Sequence, residues 1–148
     1  STERNIAALT HLSTFSQYLI PFGNYIFPIL LWTSKKEKSE FVDHHGKQAL
    51  NFQLSILIYT LILLMIAIPI FLYTVLKNIS INDIINDQDI IFENFDYGNS
   101  IGILTVAVLA LLIIVCIKVA EFFLVIYASI KASNGEEYFY PFTIPFLK

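Results

Sequence analysis

Lys118 and Glu121 are the only charged residues in the run Ile101 to Tyr127, IGILTVAVLALLIIVCIKVAEFFLVIY. A charge at the centre of a bilayer costs roughly 3 kcal/mol on insertion scales, so each needs a partner. At spacing i, i+3 the two share a helix face and can pair. If the hydrocarbon is centred near Ile114, Lys118 lies about 6 Å from that plane at 1.5 Å rise per residue, and a polar cavity is the implied setting. If the span starts early, both groups reach the cytoplasmic interface and Phe122 to Tyr127 packs at headgroup level. Polar residues recur at helical spacing elsewhere. Gln48, Asn51, Ser55 and Tyr59 form one stripe, and Thr10, Ser13, Thr14 and Gln17 form another. Such stripes avoid lipid, so the two faces are expected to meet, either as interhelical hydrogen bonds or as a polar groove for a substrate segment or ion. Asp43, His44 and His45 with His11 are residue types that suit zinc or nickel. Adjacent histidines rarely aim at one ion and no HExxH or CxxC spacing accompanies them, so no metal site is expected. Asp43 or His44 is expected to cap a helix that starts near Gly46. With no GxSxG, no paired intramembrane aspartates and no glycine-rich phosphate loop, neither catalytic residues nor a cofactor are expected.

The elements that must position these residues emerge from length and hydropathy. A spanning helix needs about 20 mostly apolar residues, and both Ile101 to Tyr127 and Leu54 to Tyr73 meet that need. A content of 56% hydrophobic residues lies above, and 14% charged residues below, the usual make-up of a water-soluble domain. The net charge of −3 gives no general attraction to nucleic acid. Cys116 is the single cysteine, so no internal disulfide forms. The first apolar segment, Ile6 to Trp32, lacks the flanks of a signal peptide and is expected to be structural. It is too long for one straight span and too short for two, and Pro21-Phe22-Gly23-Asn24 interrupts it. Pro21 removes a donor while Gly23 and Asn24 tolerate left-handed backbone, so a hairpin or a kinked span is expected, with Pro28 bending the second arm. The fold class is an all-α integral membrane protein: a small helical bundle with a broken N-terminal hairpin, or kinked span, over 6–33. Two full transmembrane helices come after it, over 47–76 and 101–132.

Basic residues orient these elements. Lys35, Lys36, Lys38 and Lys47 fall in or beside the first polar loop, 34–46, and Lys131 and Lys148 at the C-terminal end, 133–148. Only Lys77 borders the second loop, 77–100, which carries Asp83, Asp87, Asp89, Glu93 and Asp96. Loop 34–46 and the C-terminus are therefore expected in the cytoplasm and the acidic loop outside it. A hairpin puts Arg4 in the cytoplasm and a kinked span puts it outside. In the acidic loop Ser80 can cap a short helix with Ile81, Ile84 and Ile85 on one face, lying on the membrane surface, covering the bundle mouth or binding a partner. Asn78-Ile79-Ser80 matches a glycosylation sequon. Asn134-Gly135 reads as a helix C-cap, and the aromatic tail after it, broken by Pro141 and Pro145, as an extended interfacial anchor, a segment folded under the bundle, or a docking strip.

Three separated stretches carry a resemblance: HLSTFSQYLIPFGNYIFPILLW, KKEKSEFVDHHGKQALNFQLS and KASNGEEYFYPFTIPF. In this order they resemble a small bacterial membrane-protein family of unknown function whose signature is a YxIPFGN break, an FVDxHGKxALNFQ helix start and an NGxxYxYP ending. That family is similar in turn to the protein-import component of the Tic translocon in the chloroplast inner envelope, a four-helix membrane protein with both termini on one side. The resemblance covers most of the chain except Lys77 to Ser100, supports the hairpin and supplies no catalytic residues. It implies a bacterial inner membrane location. The expected function is a non-enzymatic accessory or scaffold subunit of a larger membrane assembly, related to protein translocation or the envelope. The alternative is an oligomeric channel lined by Lys118, Glu121 and the two stripes. Expected partners are membrane lipids and a larger membrane complex or a second copy of the chain.

Overall fold

The computed structural model describes residues 1–78, 85 and 97–148. Apart from Ile85, the expected acidic-loop helix falls outside the described residues, as do Ile79 and Ser80 of the sequon. The described elements are all helical, and the chain divides into two compact units, residues 1–58 with 117–148, and residues 59–116.

In the first unit, α1 (Thr2–Leu12) opens with Ser1 Oγ accepting from the Arg4 amide at 3.4 Å. A 3-10 helix, Ser13–Tyr18, continues directly from it. Its hydroxyls explain the change of winding: Ser13, Thr14 and Ser16 donate to the carbonyls of Thr10, His11 and Ser13, three residues back, at 2.6 to 2.8 Å. Side chains that bond i−3 carbonyls compete with the α-helical ladder and favour the tighter one. The chain then reverses. Leu19 and Ile20 donate to the Ser16 carbonyl, and Gly23 donates to the Ile20 carbonyl. These amides are thus satisfied within the turn, which an apolar surround demands.

α2 (Gly23–Lys35) returns against both α1 and the 3-10 helix, so the segment is a hairpin and not a kinked span. The left-handed residue is Phe22, at φ 61°, and not Gly23 or Asn24, the residue types that tolerate that backbone best. Gly23 is needed for a different reason. A Cβ there would lie 2.8 Å from the Ser16 backbone, so only glycine lets the two arms approach.

α3 (Glu40–Asn78) starts at Glu40, not near Gly46. Its cap is Ser39, whose Oγ accepts from the Val42 amide at 3.3 Å, so neither Asp43 nor His44 caps it. Gly46 sits inside the helix because a Cβ would overlap the Cδ1 and Cγ of Trp32. The indole is fixed there by donating to Asp43 Oδ1 at 2.8 Å, while Asp43 pairs with Lys47 one turn on. The last helix, α4 (Tyr97–Ser133), ends as expected at Asn134-Gly135. Gly135 takes φ 81°, its amide bonds to Ala132 and that of Glu136 to Lys131, the paired bonds of a Schellman motif. The apolar core of this unit is small: Phe52, Ile56, Val125, Ala128 and Tyr140 in one cluster, Ala7, Ala8 and Ala132 in another.

The described part of the second unit is helical and turned inside out by the standards of a soluble protein. Leu61, Ile62, Met65, Phe71, Leu104, Leu111 and Leu112 are all exposed. The most apolar windows of the two long helices have mean hydropathy 2.7 and 3.0, with 11% and 0% of their residues buried. A core helix of a soluble domain would hide such a surface, whereas lipid solvates it.

Candidate functional site

Four elements of the first unit meet around Glu121. Its side chain is 1% exposed, and Oε1 accepts from Gln17 Nε2 at 2.9 Å and from Gln53 Nε2 at 3.0 Å. Oε2 takes the Lys118 ammonium at 2.8 Å, and the same ammonium reaches Gln17 Oε1 at 3.3 Å. Gln53 Oε1 in turn accepts from Asn24 Nδ2 at 2.8 Å. The network therefore ties the 3-10 helix, α2, α3 and α4 through one carboxylate. Lys118 remains 42% exposed at its side chain, so the pair is neither fully sequestered nor two isolated charges. The i, i+3 pairing expected from the spacing is present and Gln17 joins it. Gln53 lies off the polar stripe of its helix, so the stripe alone does not reveal it. The signal for Gln53 is periodicity of the opposite face, since His45, Ala49, Phe52, Gln53 and Ile56 recur at helical spacing and all are buried.

Thr10, Ser13 and Thr14 do not donate to the α3 stripe. Their hydroxyls bond the α1 carbonyls of Ile6, Thr10 and His11. The α3 stripe instead holds the C-terminal tail by its backbone. His44 Nε2 bonds the Tyr138 carbonyl at 3.1 Å, Gln48 Oε1 accepts from the Tyr140 amide at 3.1 Å, and Ser55 Oγ accepts from the Ile144 amide at 2.8 Å. The tail then turns back, and Asn51 brackets Leu147, donating to its carbonyl at 3.0 Å and accepting from its amide at 2.8 Å. Pro141 and Pro145 keep the segment from forming a helix. An extended chain with unpaired amides therefore finds its partners in side chains at helical spacing. Tyr59, the last stripe residue, belongs to the second unit. Asn51→Leu is expected to remove both bonds to Leu147 at about 1–3 kcal/mol. Hydrogen exchange checks it: the Leu147 amide should lose protection while the Tyr140 amide keeps its own.

A third cluster joins residues that no local spacing connects. Tyr140 stacks on Phe52 with centroids 4.0 Å apart and planes at 8°. Its hydroxyl meets His11 Nδ1 at 2.9 Å, and His11 Nε2 meets His45 Nδ1 at 2.8 Å. All three side chains are buried. Burial pushes the Tyr140 phenol well above its ordinary range, so it stays protonated. We assign the order Tyr140 hydroxyl to His11 Nδ1, then His11 Nε2 hydrogen to His45 Nδ1. The remaining His45 Nε2 has no partner in bonding geometry, although the Glu136 backbone acts on that ring. Each histidine thus has a hydrogen-bonding role, and the described residues hold no group of three or more His, Cys, Asp or Glu arranged for a metal. Tyr140→Phe keeps the stack but leaves His11 Nδ1 buried and unpaired, an expected loss of about 1–3 kcal/mol readable by thermal unfolding in detergent.

Of the turn residues, Asn24 joins the Glu121 network, Gly23 makes room for Ser16, and Pro21 sits exposed in the reversal. What these clusters do together is cross-brace a small unit whose apolar core alone is thin. The exposed apolar surface of the long helices makes the chain a membrane protein.

No curated protein and no solved structure matches the chain, so the likeness to the chloroplast import component gains no support from either comparison. A sequence profile does match, and it covers residues 2–147, the helices, the Glu121 network and the tail together. The chain belongs to the magnetosome magnetite crystal formation protein family.

Proposed function

We propose that the chain is a non-enzymatic accessory or scaffold subunit of a larger membrane assembly, acting in the process its family description names, crystal formation at a magnetosome membrane. The supporting observation is where the polar groups go. Glu121, Gln17, Gln53 and Asn24 satisfy one another inside the first unit, and Gln48, Asn51 and Ser55 are occupied by the tail. Side chains so engaged are committed to holding the unit together, which leaves the exposed apolar faces and the loops to recruit a partner.

The topology in this reading has two crossings. α2, with 13 residues, is about 20 Å long at 1.5 Å per residue, short of the roughly 30 Å hydrocarbon core. The hairpin enters and leaves on one side, its tip formed by Leu19 and Phe22, which are 88% and 72% exposed. The N-terminus, 34–46 and the C-terminus then share the cytoplasmic side of the membrane. Affinity purification in mild detergent, with mass spectrometry and mass determination of the particle, tests the function. Stoichiometric recovery with a larger membrane complex is expected. A homogeneous homo-oligomer with no partner would overturn the accessory reading and favour the oligomeric channel, for which altered conductance in Lys118 and Glu121 variants is the next measurement.

A further inference from the structure

We propose that the cavity between Trp32, Lys36, Lys47 and the tail residues Phe146 to Lys148 holds the phosphate of an anionic phospholipid headgroup. The cavity measures about 550 Å³, within the range of small-ligand sites. Glu37 and Asp43 complete its lining, so three lysines face two carboxylates. One of those carboxylates is already engaged, because Asp43 accepts from Trp32 Nε1 and pairs with Lys47. Lys36 and Lys148 have no ion pair among the described residues, and the Lys36 ammonium is held 4.7 Å above the centroid of the Trp32 ring. The walls are fixed as well: Asp43 anchors the indole, and the two bonds from Asn51 anchor Leu147.

Position favours a lipid as the source of the phosphate. Ile26, Phe27, Ile29 and Leu30 are exposed on α2 just before Trp32, while Thr33 and Ser34 are exposed just after it. The exposed surface thus changes from apolar to polar at the cavity, which is where headgroups lie and where indole rings and lysines gather. Apolar Trp32, Phe146 and Leu147 suit the glycerol and upper acyl carbons, with the free ammonium groups on the phosphate. The inference rests on the membrane placement of the hairpin, not on the accessory role.

Trp32 is the sole tryptophan, so intrinsic emission reads the cavity directly. The full chain is placed in nanodiscs of phosphatidylcholine containing graded phosphatidylglycerol. A saturable emission change with phosphatidylglycerol is expected, together with stronger quenching by brominated phosphatidylglycerol than by brominated phosphatidylcholine. Lys36→Gln and Lys148→Gln should each raise the half-saturating fraction about fivefold, roughly the loss of one lysine contact at a charged surface, and Lys36→Arg should restore binding. Identical responses in the two lipids, or unchanged half-saturation in both Gln variants, would overturn the proposal. An equal response to glycerol 3-phosphate added to phosphatidylcholine discs would assign the site to soluble phosphate and overturn the lipid source. Isolation of the protein as a homo-oligomer without partner affects none of these readouts.

Discussion

Glu121→Ala is expected to cost about 2–4 kcal/mol, chiefly because the Gln17 and Gln53 amides lose their acceptor, while the half-exposed Lys118 ammonium adds less than a fully buried charge would. The carboxylate is 1% exposed and serves Lys118, Gln17 and Gln53 at once, so its removal strands an ammonium and two amides. Glu121→Gln keeps an acceptor for the amides and loses the charge, and a smaller loss of about 1–3 kcal/mol is expected. The double change Lys118→Met with Glu121→Met separates charge from hydrogen bonding. Replacing a whole buried pair by apolar groups is often neutral, but Gln17 and Gln53 would still lack their acceptor, so recovery should be partial. Denaturant or thermal unfolding of the purified protein in micelles reads all three. A Glu121→Ala variant within about 0.5 kcal/mol of the parent, the scatter of surface substitutions, would mean that the network does not hold the hairpin to the long helices.

Gly46→Ala sets two opposed effects against each other. In a helix interior, alanine is favoured over glycine by about 1 kcal/mol. Here the added Cβ would overlap the Trp32 indole, and such overpacking costs about 1–3 kcal/mol, more when the neighbour cannot move. Trp32 cannot move freely, because its Nε1 is tied to Asp43 at 2.8 Å. Net destabilisation toward the upper end of the difference, about 1–2 kcal/mol, is expected from these opposed terms, with a shift in Trp32 emission as the indole is pushed out. Gly102→Ala is the matched control: beyond its chain neighbours and its own helix backbone, no described atom lies within 4 Å of the position its Cβ would take, so propensity acts alone and the variant should gain stability. Destabilisation at both positions to the same degree would remove the steric account of Gly46.

Helix starts and turn roles show how far a local reading reaches. FVDHHGKQ contains a glycine that looks like a helix boundary, and by propensity it is one. Packing overrides that preference because Trp32, 14 residues earlier in the chain, needs the space a Cβ would take. The same holds at Pro21-Phe22-Gly23-Asn24. The reversal is legible in those four residues, but Phe22 and not a glycine takes the left-handed backbone, since Gly23 is committed to the contact with Ser16.

The sequence by itself determined the membrane class, the two long helices, the break after Ile20, the cap at Gly135 and the pairing of Lys118 with Glu121. Each rests on hydropathy, turn chemistry or spacing within about one span of chain, and such signals survive any arrangement of the rest. Only the tertiary structure decided what the polar residues bind: Gln17 to Glu121 across 104 positions, Asn51 to Leu147 across 96, and Tyr140 to His11 across 129. A hydroxyl or amide at helical spacing declares that it needs a partner without declaring which one. The choice falls to whichever chain segment packs within about 3 Å, and the tail, with backbone amides that its prolines keep out of a helix, is the segment that meets the α3 stripe.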